Sequence, residues 1–271
     1  MAWPTGLAPL SSPAGPPAGD ERRRLLIMDV ALPSFYYERL FEGMLVTLQV
    51  LLYAFLIGVA LSIILGVARL SSSKTARTLS LIWIEFTRGI SSIVLLFWMA
   101  YALPILLGIR QPSLLLMGSI ALGLNMGGYG GEIVRGAIQS VPKGQTEASI
   151  ALNLSEFQRL RYVVLPQSLR VILPPMGNLT IEILKGTALV SLISLSDLAF
   201  EGTKLRTSGR LNPDAPSAAM LFLNILLIYF VLSQIISGLY RLAEWRVNRR
   251  FEGARTEVEL PDATTTTAGA G

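Results

Sequence analysis

The sequence predicts an all-α membrane protein of about five transmembrane helices, on three observations. Its 271 residues are 52% hydrophobic and only 15% charged, with a mean hydropathy of +0.54, more apolar than a soluble domain of this size needs. Five runs reach the ~20 apolar residues that cover ~30 Å of hydrocarbon. Lys and Arg collect between those runs rather than in a continuous stripe, which suits membrane topology and argues against a nucleic-acid surface despite the net charge of +5.

Residues 1–19 are rich in Pro, Gly, Ala and Ser, with no basic segment ahead of an apolar one. We expect a disordered segment over 1–34 and no cleaved signal. Arg22, Arg23 and Arg24 fit poorly on an outer segment, a difficulty that vanishes if Met28 is the initiator. Phe35, Tyr36 and Tyr37 form an interfacial aromatic belt ahead of the first run. The runs at 43–68, 89–109, 111–131 and 215–240 carry no charge, and the fourth, 171–196, carries only Glu182 and Lys185. Little more than Arg110 separates the second from the third, which predicts a tight helical hairpin. A polar tail is expected over 251–271, leaving 35–250 as the membrane domain. With the amino terminus outside and the carboxyl terminus inside, fourteen Lys and Arg residues fall on inner segments and eight on outer ones, the favoured orientation.

Between the third and fourth runs, apolar residues recur at helical spacing through Ala148, Ala151 and Leu152, then Phe157, Leu160 and Val164. This predicts two short helices. The second opens with a capping box, Ser155 with Gln158 three residues on, and is expected to end before Leu165-Pro166. Asn153 at the joint tolerates the left-handed conformation that helix ends use. Such a pair on the inner face would lay its apolar side on a partner anchored by Glu147, or lie in the lipid headgroups.

Several function classes drop out. With no cysteine and no histidine, the chain lacks thiolate and imidazole metal ligands, disulfides, the usual proton shuttle and the Cys or Ser-His nucleophiles. No metal site and no enzymatic chemistry of its own are expected. The cluster Gly127, Gly128, Gly130 and Gly131 fits no phosphate-binding pattern and reads as close helix packing.

The run Val141-Pro142-Lys143-Gly144-Gln145, then Glu147-Ala148, then Leu165-Pro166-Gln167, resembles the EAA loop of binding-protein-dependent ABC importers, in the branch that moves polar amino acids. Further matches are Gly43, Thr47-Leu48, Arg88-Gly89, Leu124-Asn125, Glu132 with Arg135, and Lys185 with Thr187, so the likeness covers about residues 43–239. It implies the permease fold of type I importers in a bacterial plasma membrane. The coupling loop, about 142–166, would dock on a separate ATPase subunit through Gly144, Glu147, Ala148, Asn153, Leu165 and Pro166. The same resemblance implies a second permease copy or homologue and an extracytoplasmic solute-binding protein, with ATP used by the partner and no cofactor bound directly. The sequence departs from the family at Asn153, where glycine is usual, at Ile90-Ser91 in place of Thr-Pro, and at Lys185-Gly186-Thr187-Ala188 in place of Lys-Asp-Thr-Ser. The last leaves ectoine-like compatible solutes as an alternative cargo.

Candidate path residues are Asn125, Glu132, Arg135, Glu182, Lys185 and Thr187. Glu182 and Lys185 are three apart and share a helix face. They either line a path for a zwitterion or form an internal salt pair. Glu132 and Arg135 share that spacing at the inner mouth and read as a gate or interface pair, and Asn125 is suited to an interhelical hydrogen bond. Two rivals from other classes remain: an ion-coupled secondary transporter, for which no inverted repeat is seen, and a membrane scaffold, which leaves the coupling-loop spacing unexplained.

Overall fold

The structure, a computed structural model, describes residues 32–209 and 215–256. The Met28 start and most of both expected tails lie outside those residues. The chain runs as α1 (Ser34–Ala68), α2 (Lys74–Gly89), α3 (Ser92–Leu106), α4 (Leu114–Gln139), α5 (Lys143–Ala151), α6 (Glu156–Ile193), α7 (Leu198–Gly209) and α8 (Ala218–Thr256). No strand occurs among the described residues.

Three helices, α1, α6 and the Ala218–Arg249 part of α8, are long and apolar enough to cross a membrane. The α2–α3 pair makes a fourth as a broken span, bent by 102°. At 26 residues α4 is long enough as well, ~39 Å at 1.5 Å per residue, but falls short in apolarity. Its packing supplies the reason. A helix enclosed by other helices needs small residues more than greasy ones, and α4 buries thirteen of its residues, among them Gly127, Gly128, Gly130 and Gly131. A Cβ on Gly127 would stand 2.7 Å from Leu61 Cβ, and one on Gly58 would stand 2.7 Å from Met126 Cβ. These reciprocal approaches let α1 and α4 lie against each other along most of their length.

The second span differs from expectation. It does not begin at Gly89; α2 ends there and α3 starts at Ser92. The apolar face of α2, with Leu79, Ile82, Trp83 and Phe86 at helical spacing, is exposed. The hairpin near Arg110 is a short loop closed by Gly108, at φ 68°, where the Ile109 N–H donates to Pro104 O at 2.8 Å and that of Gly108 to Ile105 O at 3.2 Å, a Schellman end. Likewise α1 begins nine residues ahead of the expected run, at Ser34, and takes in the aromatic belt.

A larger difference concerns Leu165-Pro166. The second coupling helix does not stop there but continues as one 38-residue helix, α6, through the fourth span. A π turn at Leu160–Val164 makes this possible. Proline lacks an N–H, and its ring crowds the carbonyl four residues back, here that of Tyr162, at the centre of the widened turn. The same device recurs in α3, where the π turn Trp98–Ala102 precedes Pro104 and is centred on Ala100. Two more prolines, Pro174 and Pro175, lie inside α6. Beyond Gly186 the helix tightens to 3₁₀ geometry and ends at Ser194, in the left-handed conformation.

Candidate coupling surface and translocation face

The coupling loop is built by local signals. Asn153 takes φ 56°, its N–H donating to Ile150 O at 2.8 Å and that of Leu154 to Ser149 O at 3.1 Å, so α5 ends in a Schellman motif with asparagine in the glycine position. Ser155 and Gln158 close the expected capping box. Gln167 at the foot of the fourth span donates to Gln145 Oε1 at 3.2 Å, tying α5 to α6. Outward from this frame, Gly144, Glu147, Ala148, Asn153 and Leu165 are exposed and Pro166 is half-buried. Ile150, Leu152, Phe157 and Tyr162 add large apolar surface, with Leu152 75% exposed. Glu147 and these apolar side chains are thus exposed on the same loop.

The candidate path residues separate into two groups. Glu132 and Arg135 are joined, Arg135 Nη2 to Glu132 Oε2 at 2.8 Å, and Arg69 at the end of α1 adds a third charge at 3.5 Å. Arg135 also donates to Gln139 at 2.6 Å. This is an internal node fastening α1 to α4 next to the coupling loop. Asn125 is buried and donates to Thr87 O at 3.4 Å, and Tyr129 donates to Arg88 O at 3.5 Å. Both carbonyls belong to the open end of α2, so the broken span is capped from α4. Sequence reading missed Thr87 and Tyr129 in this role, although Ile90-Ser91 and the Arg88-Gly89 pair mark the break.

Glu182 and Lys185 are both exposed and form no ion pair with each other within this chain. Lys185 instead lines a groove of about 610 Å³ between α6 and α8, together with Tyr229, Ser233, Gln234, Ser237 and Arg241. Its wall carries two cations and no carboxylate. Thr187 does not face it: the side chain is fully buried and donates to Leu184 O at 2.6 Å, in the same pocket of side chains as Thr47 and Tyr229.

Gly43 and Thr47 have a structural explanation that sequence spacing did not supply. A Cβ on Gly43 would lie 3.0 Å from Asp197 O, and the Leu198 N–H donates to Thr47 Oγ1 at 3.1 Å. They seat the start of α7, whose first turn donates to Asp197, from Phe200 N at 3.0 Å and Ala199 N at 3.2 Å. Asp197 is completely buried. Burial pushes its carboxyl up to about 6, against the pull of those N–H donors.

Residues 58–249 match the family of binding-protein-dependent transport system inner membrane components. Among curated relatives, the chain is 40% identical over 224 residues to a probable amino-acid ABC transporter permease protein, y4tF, of Sinorhizobium fredii (strain NBRC 101917 / NGR234), covering 79% of this chain and 92% of that one. It is 33% identical over 202 residues to the glutamine transport system permease protein GlnP of Escherichia coli (strain K12), covering 74% and 91%. Among solved structures, an amino acid ABC transporter crystallised with histidines superposes with a TM-score of 0.68 at 31% identity, over 78% of this chain and 95% of that one. The inward-facing MetNI methionine ABC transporter gives 0.65 at 22% identity, over 80% and 99%, a likeness of fold.

Proposed function

The chain belongs to the family of binding-protein-dependent transport system inner membrane components, and from that premise we propose how its two surfaces divide the work of an importer. It is the multi-pass inner-membrane permease of an ABC importer for polar amino acids. The relatives named above move amino acids or glutamine, which favours that cargo over ectoine-like solutes.

We assign the exposed patch around Glu147 to a separate ATPase subunit, which supplies ATP hydrolysis. The observation that carries this is an exposed carboxylate on the same capped loop as exposed Ile150, Leu152 and Phe157. Apolar surface held rigid outside the bilayer gains most by meeting a protein. The loop is continuous with α6 and tied to the Glu132 node through the end of α4, so movement at the ATPase reaches the spans directly. Transport is then a biased exchange between inward- and outward-facing states.

The Lys185 face is the proposed solute side. A lipid-exposed charge costs roughly 2.5 to 3.5 kcal/mol, so Glu182 and Lys185 require water or a partner across from them. A second permease copy or homologue would enclose them, placing Lys185 and Arg241 by the solute carboxylate and Glu182 by its ammonium. An extracytoplasmic binding protein delivers the solute from the α7 side. The orientation is tested in this cysteine-free chain with an impermeant thiol reagent. Ser208→Cys on α7 should label from outside and Gln145→Cys should not; the reverse pattern inverts the topology.

The test of the coupling assignment is Glu147→Lys. Insertion and permease pairing should survive, while docking on the ATPase weakens by about 2 to 5 kcal/mol if the carboxylate is charge-paired there. Solute uptake and solute-stimulated ATP hydrolysis should fall together. Normal co-purification with the ATPase and normal uptake would return the loop to the lipid headgroups.

A further inference from the structure

Helix α2 presents three distinct sides. At about 100° per residue, its buried residues Ser80, Ile84 and Thr87 share one stripe, which packs on α4. The exposed apolar residues Leu79, Ile82, Trp83 and Phe86 fall on one flank of that stripe. All four charged residues of the helix, Lys74, Arg77, Glu85 and Arg88, fall on the other, with the two flanks about 150° apart. Register with α4 fixes the depth of these charges. A Cβ on Gly131 would stand 3.2 Å from Ile84 Cδ1 and one on Gly128 would stand 3.0 Å from Thr87 Cβ, so the two helices run antiparallel with Arg88 beside Gly128. That level is ~16 Å along α4 from Gln139 and ~21 Å from Leu114, deep within the span.

We propose that Glu85 and Arg88 form a second wall of the translocation path, facing water and the solute's side chain. The apolar flank of α2 suits acyl chains. Charges at this depth on the opposite flank do not, and need water, solute or protein against them. Within this chain they are left open, the Glu85 side chain 63% exposed and that of Arg88 39%, with 3.6 Å between them. Arg88 also marks which way the flank is turned, since its guanidinium lies over the Tyr129 ring, 5.5 Å from the centroid. On α4, Gly128 meets Thr87 of α2 and Leu122 meets Gly186 of α6, about 120° apart, and Tyr129, 37% exposed, points into the sector between them. The charged flank therefore borders the gap between α2 and α6. An added Cβ on Gly130 would stand 3.3 Å from Met176 and one on Gly118 would stand 3.3 Å from Val190. Those two contacts bracket Tyr129 on α4 and both Glu182 and Lys185 on α6, so charged residues lie at one depth on both helices that flank the gap. The inference rests on the assignment of the solute's ammonium and carboxylate to Glu182 and Lys185. The side chain then falls to α2, where an acceptor beside a donor fits a polar, uncharged group.

In the full importer in liposomes, Glu85→Cys should react with a charged methanethiosulfonate about tenfold faster than Ile82→Cys on the apolar flank, because water favours the reactive thiolate. An equimolar mixture of the twenty amino acids should slow the reaction at Glu85→Cys and leave that at Ile82→Cys unchanged. Equal rates at the two positions would give the charged flank to lipid or to a protein contact. Fast labelling that the mixture does not slow would make it a solvated face off the path. Either result overturns the proposal. Arg88→Gln should change the order in which the complex takes up the twenty amino acids, and Arg88→Lys should keep it. An unchanged order in Arg88→Gln overturns the side-chain assignment, and the labelling at Glu85→Cys decides if the Arg88 variants fail to assemble. Uptake of no amino acid by the native complex would instead refute the amino-acid reading on which the inference rests.

Discussion

The carboxyl-terminal parts of α4 and α6 each carry a carboxylate three residues ahead of a cation, and in sequence the pairs look alike. In the fold they part. Glu132 and Arg135 close to 2.8 Å, with Arg69 of α1 on the other carboxylate oxygen, while Glu182 and Lys185 stay open and exposed. Spacing on a helix permits contact but supplies only a few tenths of a kcal/mol. What closes the first pair is a third charge from a distant helix, in a site where each side chain is less than a third exposed. The second pair has no such neighbour among the described residues, and Lys185 reaches into an open groove instead.

The sharpest break in this comparison is Glu132→Gln, which leaves two half-buried cations facing each other. We expect a loss of about 2 to 4 kcal/mol in stability, seen as a lowered unfolding midpoint of the purified chain, with Arg69→Met added to relieve part of it. A variant as stable as the native chain would mean that the node holds nothing together.

The open pair should behave oppositely. Glu182→Gln, Lys185→Met and the double change should each leave stability within about 1 kcal/mol, with a coupling energy in the cycle below ~0.5 kcal/mol. Uptake should fall in Lys185→Met and stay low in the double variant. Recovered uptake in the double variant would remove both residues from contact with the solute.

A pH-dependent contrast is offered by Asp197, a completely buried carboxylate that forms no ion pair with another described residue. Its folded value of about 6 lies above the ordinary 3.8, so the protonated form fits the fold better. That contribution to stability is full below about pH 4 and is lost as the pH rises through about 6. Asp197→Asn should flatten the dependence of the unfolding midpoint across this window while keeping one capping acceptor for α7. An unchanged slope would place the titration elsewhere.

The candidate coupling loop was legible in the sequence because its information is local. Asn153 and the Ser155–Gln158 box fix backbone conformation within a few residues, and each took the form its sequence requires. Hydropathy likewise determined the membrane character and the approximate spans, because burial in lipid acts on every residue of a run. Two local cues misled. Pro166 reads as a helix end but sits in a continuous helix, since a π turn moves the crowding carbonyl aside, and residues 89–109 read as one straight span but break at Ile90-Ser91, with the open carbonyls met by Asn125 and Tyr129. Composition and short-range spacing thus determined that this chain is a helical membrane protein and how the loop at 142–166 folds. Which charges pair, which helix sits at the centre and which face is left open were decided only in the tertiary structure, because a carboxylate or a carbonyl in a low-dielectric interior is governed by whatever distant group the packing brings to it.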